Sequence, residues 1–170
     1  MIIRTDRPMI KQLIGKKNLV GAEIGVEYGY NALGILAQLD IEKLYLIDPY
    51  QEYPSSDGKS VRSQELMQQT KDEALINLEK FNDRIEWVFD YSWNAVNQIE
   101  DESLDFVYID GDHRYEAVYR DIELYLPKVK IGGLIGGHDY KPREKGVIRA
   151  VNEFFSGIGQ KNWDWWTVKK

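Results

Sequence analysis

Cysteine is missing from this chain. Its absence excludes disulfides, thiolate metal sites and cysteine nucleophiles, and it fits a reducing, cytoplasmic setting. Histidine is scarce: of 170 residues only His113 and His138 carry an imidazole, so any chemistry of that group is confined to two places. No apolar run approaches the roughly 18–20 residues that span a bilayer, and Met1-Ile-Ile-Arg-Thr-Asp6 lacks the apolar stretch of a signal peptide. Neither a membrane partner nor secretion is expected. Basic residues fall short of acidic ones, 22 against 28, for a net charge of −6. That balance argues against nucleic acid, whose phosphates need a basic face. Internal repeats, low-complexity tracts and linkers are absent too. With 43% hydrophobic residues, the chain from 1 to 170 reads as one domain with a sizeable core.

What is present is an alternation of apolar strands and helical patterns. Strands are expected at Val20 to Ile24, Lys43 to Ile47, Ile85 to Phe89, Leu104 to Ile109, Leu134 to Gly137 and Trp163 to Val168. Helices are expected at Pro8 to Lys17, from Asn31 onward, at Val61 to Phe81, at Tyr115 to Val129 and at Gly146 to Phe155. Such alternation predicts an α/β fold: a Rossmann-like, doubly wound, mostly parallel sheet with helices on both faces. Ligands of such sheets bind outside the carboxyl ends of the strands. Polar clusters stand at five successive strand ends, namely Glu23 to Gly29, Asp48, Asp90-Tyr-Ser92, Asp110-Gly-Asp-His113 and His138-Asp-Tyr140.

The segment Gly21-Ala-Glu-Ile-Gly-Val-Glu-Tyr-Gly-Tyr-Asn31 runs from a strand through a glycine turn into a helix, with Asn31 as the expected cap. Gly25 and Gly29 allow close backbone approach to a ligand, and a helix start offers free N–H groups. The turn is Gly-x-x-x-Gly and not the Gly-x-Gly-x-x-Gly of dinucleotide sites. Asp48 can accept hydrogen bonds from both hydroxyls of a ribose, in NAD enzymes and methyltransferases alike, or it can cap the turn before Pro49. Asp90, Ser92 and Trp93 can flank an adenine, Ser92 bonding a ring nitrogen and Trp93 or Tyr91 covering the ring; a capped helix start over a packed aromatic is the alternative. Asp110, His138 and Asp139, at neighbouring strand ends, can converge on one divalent cation.

Four motifs now fall in order: Glu23-Ile-Gly-Val-Glu-Tyr-Gly-Tyr-Asn-Ala32, Tyr45-Leu-Ile-Asp-Pro-Tyr50, Phe106-Val-Tyr-Ile-Asp-Gly-Asp-His-Arg-Tyr115 and Gly132-Gly-Leu-Ile-Gly-Gly-His-Asp-Tyr140. Together they resemble the class I S-adenosylmethionine (SAM) methyltransferases, and within them the small O-methyltransferases related to macrolide-sugar and catechol enzymes. The resemblance covers roughly residues 18 to 155 and implies a seven-stranded sheet. It places Glu23, Gly25, Gly29 and Asn31 at the methionine end of SAM, Asp48 on the ribose, and Asp90, Ser92 and Trp93 around the adenine. It gives Asp110 to both cofactor and metal, His138 and Asp139 to the metal (manganese or magnesium), and makes His113 the general base beside Asp110. Asn31 departs from the Ser common in the catechol group but can still bond a carboxylate. His138 departs from the usual carboxylate; it either favours manganese, iron or zinc over magnesium, or orients the substrate without a metal.

The implied reaction is O-methylation of a small hydroxylated acceptor, a sugar or natural-product hydroxyl. Three rivals stand beside it: an NAD-type oxidoreductase, a metal-dependent hydrolase using Asp110, Asp112, His113, His138 and Asp139, and a non-catalytic SAM-binding subunit. The polar loop from Tyr50 to Arg62 is a candidate cover, with Lys59 and Arg62 either holding an anionic acceptor or simply solvated. Chains this short leave little room for a separate recognition domain, which leaves a homo-oligomer open.

Overall fold

The structure is a computed structural model that describes residues 7–54 and 61–170. Its elements run α1 (Pro8–Lys11), β1 (Leu19–Ile24), α2 (Tyr30–Gln38), β2 (Ile41–Ile47), β3 (Tyr53–Pro54), β4 (Val61–Arg62), α3 (Gln64–Leu78), β5 (Ile85–Val88), α4 (Ser92–Ala95), β6 (Leu104–Ile109), α5 (Tyr115–Tyr125), β7 (Val129–Gly137), α6 (Lys145–Phe154), β8 (Gly159–Lys161) and β9 (Asp164–Val168). Seven strands form one sheet in the order β5-β2-β1-β6-β7-β9-β8, and β3 and β4 pair separately. The five strands from β5 to β7 are parallel, whereas β9 runs antiparallel to both β7 and β8. The expected doubly wound, mostly parallel seven-stranded sheet is present.

The central strands are nearly continuous apolar runs because both of their faces are covered. On one face Val107, Ile135 and Trp165 pack with Val118, Ile122, Val147 and Val151 of α5 and α6. On the other, Leu44, Leu46, Phe106 and Tyr108 pack with Ile10 of α1, Ile35 of α2 and Leu78 of α3. From β1 the chain steps outward to β2 and β5, then returns to β6 on the opposite side. The carboxyl ends of β1 and β6 therefore flank the switch point where such sheets bind ligands.

Several expected boundaries shift for local reasons. Val61 and Arg62 leave the long helix to pair with Tyr53 and Pro54, and α3 starts where the Ser63 hydroxyl accepts from the Leu66 N–H at 3.3 Å. The helix from Tyr115 ends at Tyr125, because Pro127 lacks an N–H, and Val129 opens β7 instead. The first helix makes one turn, and the chain turns away at Gly15, whose φ is +89°. The edge strand β8 is polar and too short for a pattern to announce it. Among the described residues no helix is long and apolar enough to cross a membrane.

Candidate active site

The turn after β1 is shaped by the neighbouring strand before any ligand is considered. Gly25 has φ +83°, and a Cβ built there would lie 2.4 Å from the Asp110 carbonyl oxygen. The Asp110 N–H donates to the Ile24 carbonyl at 2.8 Å, and the Gly25 N–H donates to the Ile47 carbonyl at 2.9 Å. The space beside Gly25 is thus held by the β6 backbone, so its first task is chain-to-chain approach. Gly29, at φ +76°, is the residue that caps α2. The expected cap, Asn31, sits inside the first turn, where its Nδ2 donates to Glu23 Oε1 at 3.0 Å. Glu23 is 1% exposed and Asn31 7%. Among the described residues, Glu23 Oε2 and Asn31 Oδ1 are buried with no hydrogen-bond partner. Burial pushes the Glu23 carboxyl up to about 8, against the opposing Asn31 hydrogen bond. Orphaned buried acceptors are rare in folded proteins and call for a donor.

Asp48 stands where the ribose acid was expected, at the end of β2, and is already in use. Its Oδ2 accepts from the Val26 and Glu27 N–H groups at 3.0 Å each, and its Oδ1 from the Tyr50 N–H at 2.9 Å. Burial raises its pKa while these three bonds hold it down. Glu27 and Tyr50 both sit at positive φ, +49° and +46°, and the Tyr50 hydroxyl donates to the Glu27 carbonyl at 2.7 Å. Asp48 is therefore the brace of two strained turns, with lone pairs remaining for a ligand. Arg62 reaches Glu27 at 2.5 Å and lies over the Tyr53 ring, so it is paired and not held ready for an acceptor. Lys59 lies outside the described residues.

At the end of β5, Asp90 accepts from the Tyr91 N–H at 2.7 Å and the Asn94 Nδ2 at 2.9 Å, which commits it to the start of α4. The Ser92 hydroxyl donates to Asp121 Oδ1 at 2.5 Å, so its proton points into the core and only its acceptor capacity is left for an adenine. Burial pushes Asp121 up to about 6, opposed by that bond. Trp93 is 41% exposed, stacks on Tyr91 at 4.4 Å between centroids and carries Arg120 4.8 Å over its ring. Asp121 and Arg120 lie on α5, distant in sequence, and no motif pointed to them.

A cluster of two histidines and two acids gathers at the ends of β6 and β7. His113 Nε2 lies 2.9 Å from Asp139 Oδ2 and 3.8 Å from Asp110 Oδ1. Asp110 and Asp139 together raise the imidazole to about 10, so the ring holds a proton at neutral pH. The expected base lies beside the expected Asp110 but is already charged, and Asp139 is a second acid across from it. Asp112 is taken by Arg114, whose Nε donates to it at 2.7 Å. Asp139 itself adopts φ +60°. Burial would raise its pKa, yet His113, His138 and Lys141 outweigh this and hold it well below the usual carboxylate range. Lys141 Nζ bonds Asp139 Oδ1 directly.

The expected metal ligands Asp110, His138 and Asp139 lie near one another. His138 Nδ1 lies 3.2 Å from Asp139 Oδ1 and 4.0 Å from Asp110 Oδ1. Among the described residues, however, the group whose ligand atoms all fall within 4.8 Å of one another is Asp110, His113 and Asp139. His113 thus replaces His138 in the compact set. A small pocket beside this cluster is lined by Ile109, Gly111, His113, His138, Val147 and Trp165.

Sequence reasoning missed two residues here. Arg7, just ahead of α1, donates from Nη2 to Asp110 Oδ2 at 3.3 Å and pairs with Asp164 Oδ1 at 3.7 Å. Asp164, fully buried at the start of β9, accepts from the Tyr108 hydroxyl at 2.7 Å and the Met9 N–H at 3.1 Å. Both join the site through contacts that span most of the chain, so no local spacing announces them.

A methyltransferase-domain family model matches residues 22–140, which takes in all the strand ends described except the start of β9. The uncharacterized protein R132 of Acanthamoeba polyphaga mimivirus is 34% identical over 91 residues, covering 48% of this chain and 41% of that protein. The chain spans less than half the length of the curated relatives it matches. Among solved structures, the O-methyltransferase NovP superposes with a TM-score of 0.69 at 19% identity, over 98% of this chain and 77% of that one. An O-methyltransferase from Bacillus cereus, solved in complex with SAH, gives 0.57 at 20% identity, over 86% and 71%. These likenesses show the fold, and the family match with its four ordered motifs shows the lineage: the chain belongs to the methyltransferase-domain family of class I SAM-dependent methyltransferases.

Proposed function

We propose that the protein transfers the methyl group of SAM to a hydroxyl oxygen of a small acceptor. The observation that carries this reading is the position of Asp110. Its backbone lies against Gly25, its charge bears on the buried Glu23, and its carboxylate is 3.8 Å from His113, which pairs with Asp139. In the reaction the acceptor oxygen attacks the sulfonium methyl, the carbon–sulfur bond breaks with its electron pair passing to sulfur, and the hydroxyl proton leaves to a base. The products are a methyl ether, SAH and that proton.

His113 is the base in this reading. Asp110 first and Asp139 second keep it charged against the opposing effect of burial, so the ring returns toward an ordinary imidazole value when both carboxylates are drawn off. An acceptor entering between His113 and the two carboxylates would free it. Losing such a group cuts turnover by roughly 10²–10⁴-fold. The donor set also fits a divalent cation: two carboxylates and an imidazole, with ligand atoms within 4.8 Å, suit manganese better than calcium. Asp110, Asp139 and His113 would hold it, and it would supply the Lewis acidity that lowers a hydroxyl pKa; with its lone pair on the ion His113 would no longer be the base, and the proton would pass to water. Lys141 would have to leave Asp139 and His113 to lose its proton. In that case His138, beside Asp139, takes the part of orienting the acceptor.

Incubation with methyl-labelled SAM and a panel of catechols, sugars and phenols tests the reading. The expected product is an O-methyl ether with one SAH per methyl. SAM bound without turnover across the panel would favour a non-catalytic subunit. Phosphate release from phosphoesters with metal and no SAM binding would favour a hydrolase.

A further inference from the structure

Arg7 is the feature of the site that the reaction has not used. Its guanidinium has five N–H donors, and among the described residues it makes one hydrogen bond, 3.3 Å to Asp110, one ion pair, 3.7 Å to Asp164, and a ring contact 5.6 Å from the Tyr108 centroid. Its side chain is only 20% exposed. A cation this enclosed, with most of its donors unspent, is set up for an anion. Across the ends of β1 and β6 the opposite is true: Glu23 Oε2 and Asn31 Oδ1, each more than nine-tenths buried, have no hydrogen-bond partner among the described residues, and an ammonium there would displace the Glu23 proton and be accepted by both. Unspent donors facing unspent acceptors match one chemical class, an α-amino-acid zwitterion.

We propose that Arg7 binds the α-carboxylate of the cofactor's methionine end while Glu23 and Asn31 accept from its ammonium. The proposal rests on the SAM reading above and names a residue outside the four motifs as the reader of the carboxylate. Arg7 is placed for this by a rigid anchor. Asp164 is fully buried, and its carboxylate takes the Met9 N–H, the Tyr108 hydroxyl and the Arg7 charge together. Met9 and Ile10 behind it are buried in the core. The segment from Arg7 to Ile10 is therefore fixed to the sheet, and the guanidinium is held over the end of β6 in advance of binding. A planar fork suits a carboxylate in two-point contact, which a lysine at this place would not reproduce.

The test compares SAM with decarboxylated SAM, identical except for the carboxylate, by calorimetry. Wild-type protein is expected to bind SAM more tightly by about 10- to 100-fold, the usual range for charge-assisted hydrogen bonds. Arg7→Gln should erase most of that preference by weakening SAM, and leave decarboxylated SAM within about 2-fold. Arg7→Lys should fall between the two. Glu23→Gln should weaken both ligands together, since both carry the amine. Equal loss of both ligands in Arg7→Gln would mean that Arg7 only shapes the pocket, and would overturn the proposal. So would unchanged cofactor binding with a raised KM for an acidic acceptor. The wild-type comparison needs no variant, and equal affinity for the two ligands overturns the proposal by itself. Failure of the SAM reading looks different: neither ligand binds.

Discussion

At the residue scale the site sets closely paired charges beside a buried, half-satisfied Glu23, and pH should expose this. The Glu23 carboxyl is raised from an ordinary 4.5 to about 8, chiefly by burial. Between those values the folded protein keeps a proton that the unfolded chain has released, so the Glu23 contribution to stability falls as pH rises through that window. Below 4.5 both states hold the proton and the effect vanishes. Glu23→Gln removes it. Melting curves of cofactor-free protein from pH 5 to 8.5 should show the variant gaining on the wild type as pH rises; a gap that stays constant would contradict the burial argument. Lys141 supplies a second residue-scale expectation. Its ammonium competes with any divalent cation for Asp139, so Lys141→Ala should bind manganese about 10-fold more tightly in a spectroscopic titration, as removal of a neighbouring positive charge requires. Unchanged affinity would mean that the ion, if it binds, does so away from Asp139. These residues were legible to different degrees. Glu23, Asp110, His113 and Asp139 stand at strand ends, where polar residues interrupt apolar runs, and the sequence displays them. Arg7 and Asp164 carry no such mark, because one precedes a single helical turn and the other opens an antiparallel strand far along the chain.

At the element scale the turn after β1 is held by strand-end residues, not by its glycines alone. Asp48 accepts three backbone N–H bonds from the turns at Val26–Glu27 and Tyr50. Asp48→Ala leaves those donors unpaired in a buried place, a cost on the order of 1–3 kcal/mol. Urea unfolding of cofactor-free protein should register that loss. A purely ribose-binding Asp48 would lower cofactor affinity and leave unfolding unchanged. Gly25 extends the same lesson. The sequence expects this glycine to admit a ligand, but the Cβ position is filled by the Asp110 backbone, a contact that only tertiary structure reveals. Strands buried on both faces were plain from their apolar runs, whereas β3, β4 and β8 were not, since two- or three-residue polar pairings leave no period to read. The end of α5 was available in principle from Pro127, but the apolar spacing through Val129 continues past it into β7.

At the scale of the whole molecule, the reversal of strand order between β1 and β6 brings the glycine turn after β1 against Asp110. The antiparallel return of β9 beside β7 brings Asp164, and through it Arg7, to the same edge. Alternation of strands and helices made the sheet and its working edge legible, because the polar ends of parallel strands must share one side. The wiring across that edge was not legible, because it depends on which carboxylate reaches which cation after folding. The most direct measurement of the central claim is methyl transfer itself, followed with methyl-labelled SAM and a hydroxylated acceptor in wild type and His113→Ala. The expected result is an O-methyl product matched one-to-one by SAH, with turnover of the variant down roughly 10²–10⁴-fold and its SAM affinity nearly unchanged. Tight SAM binding with no methyl transfer to any hydroxyl, or equal turnover in the two proteins, would contradict it.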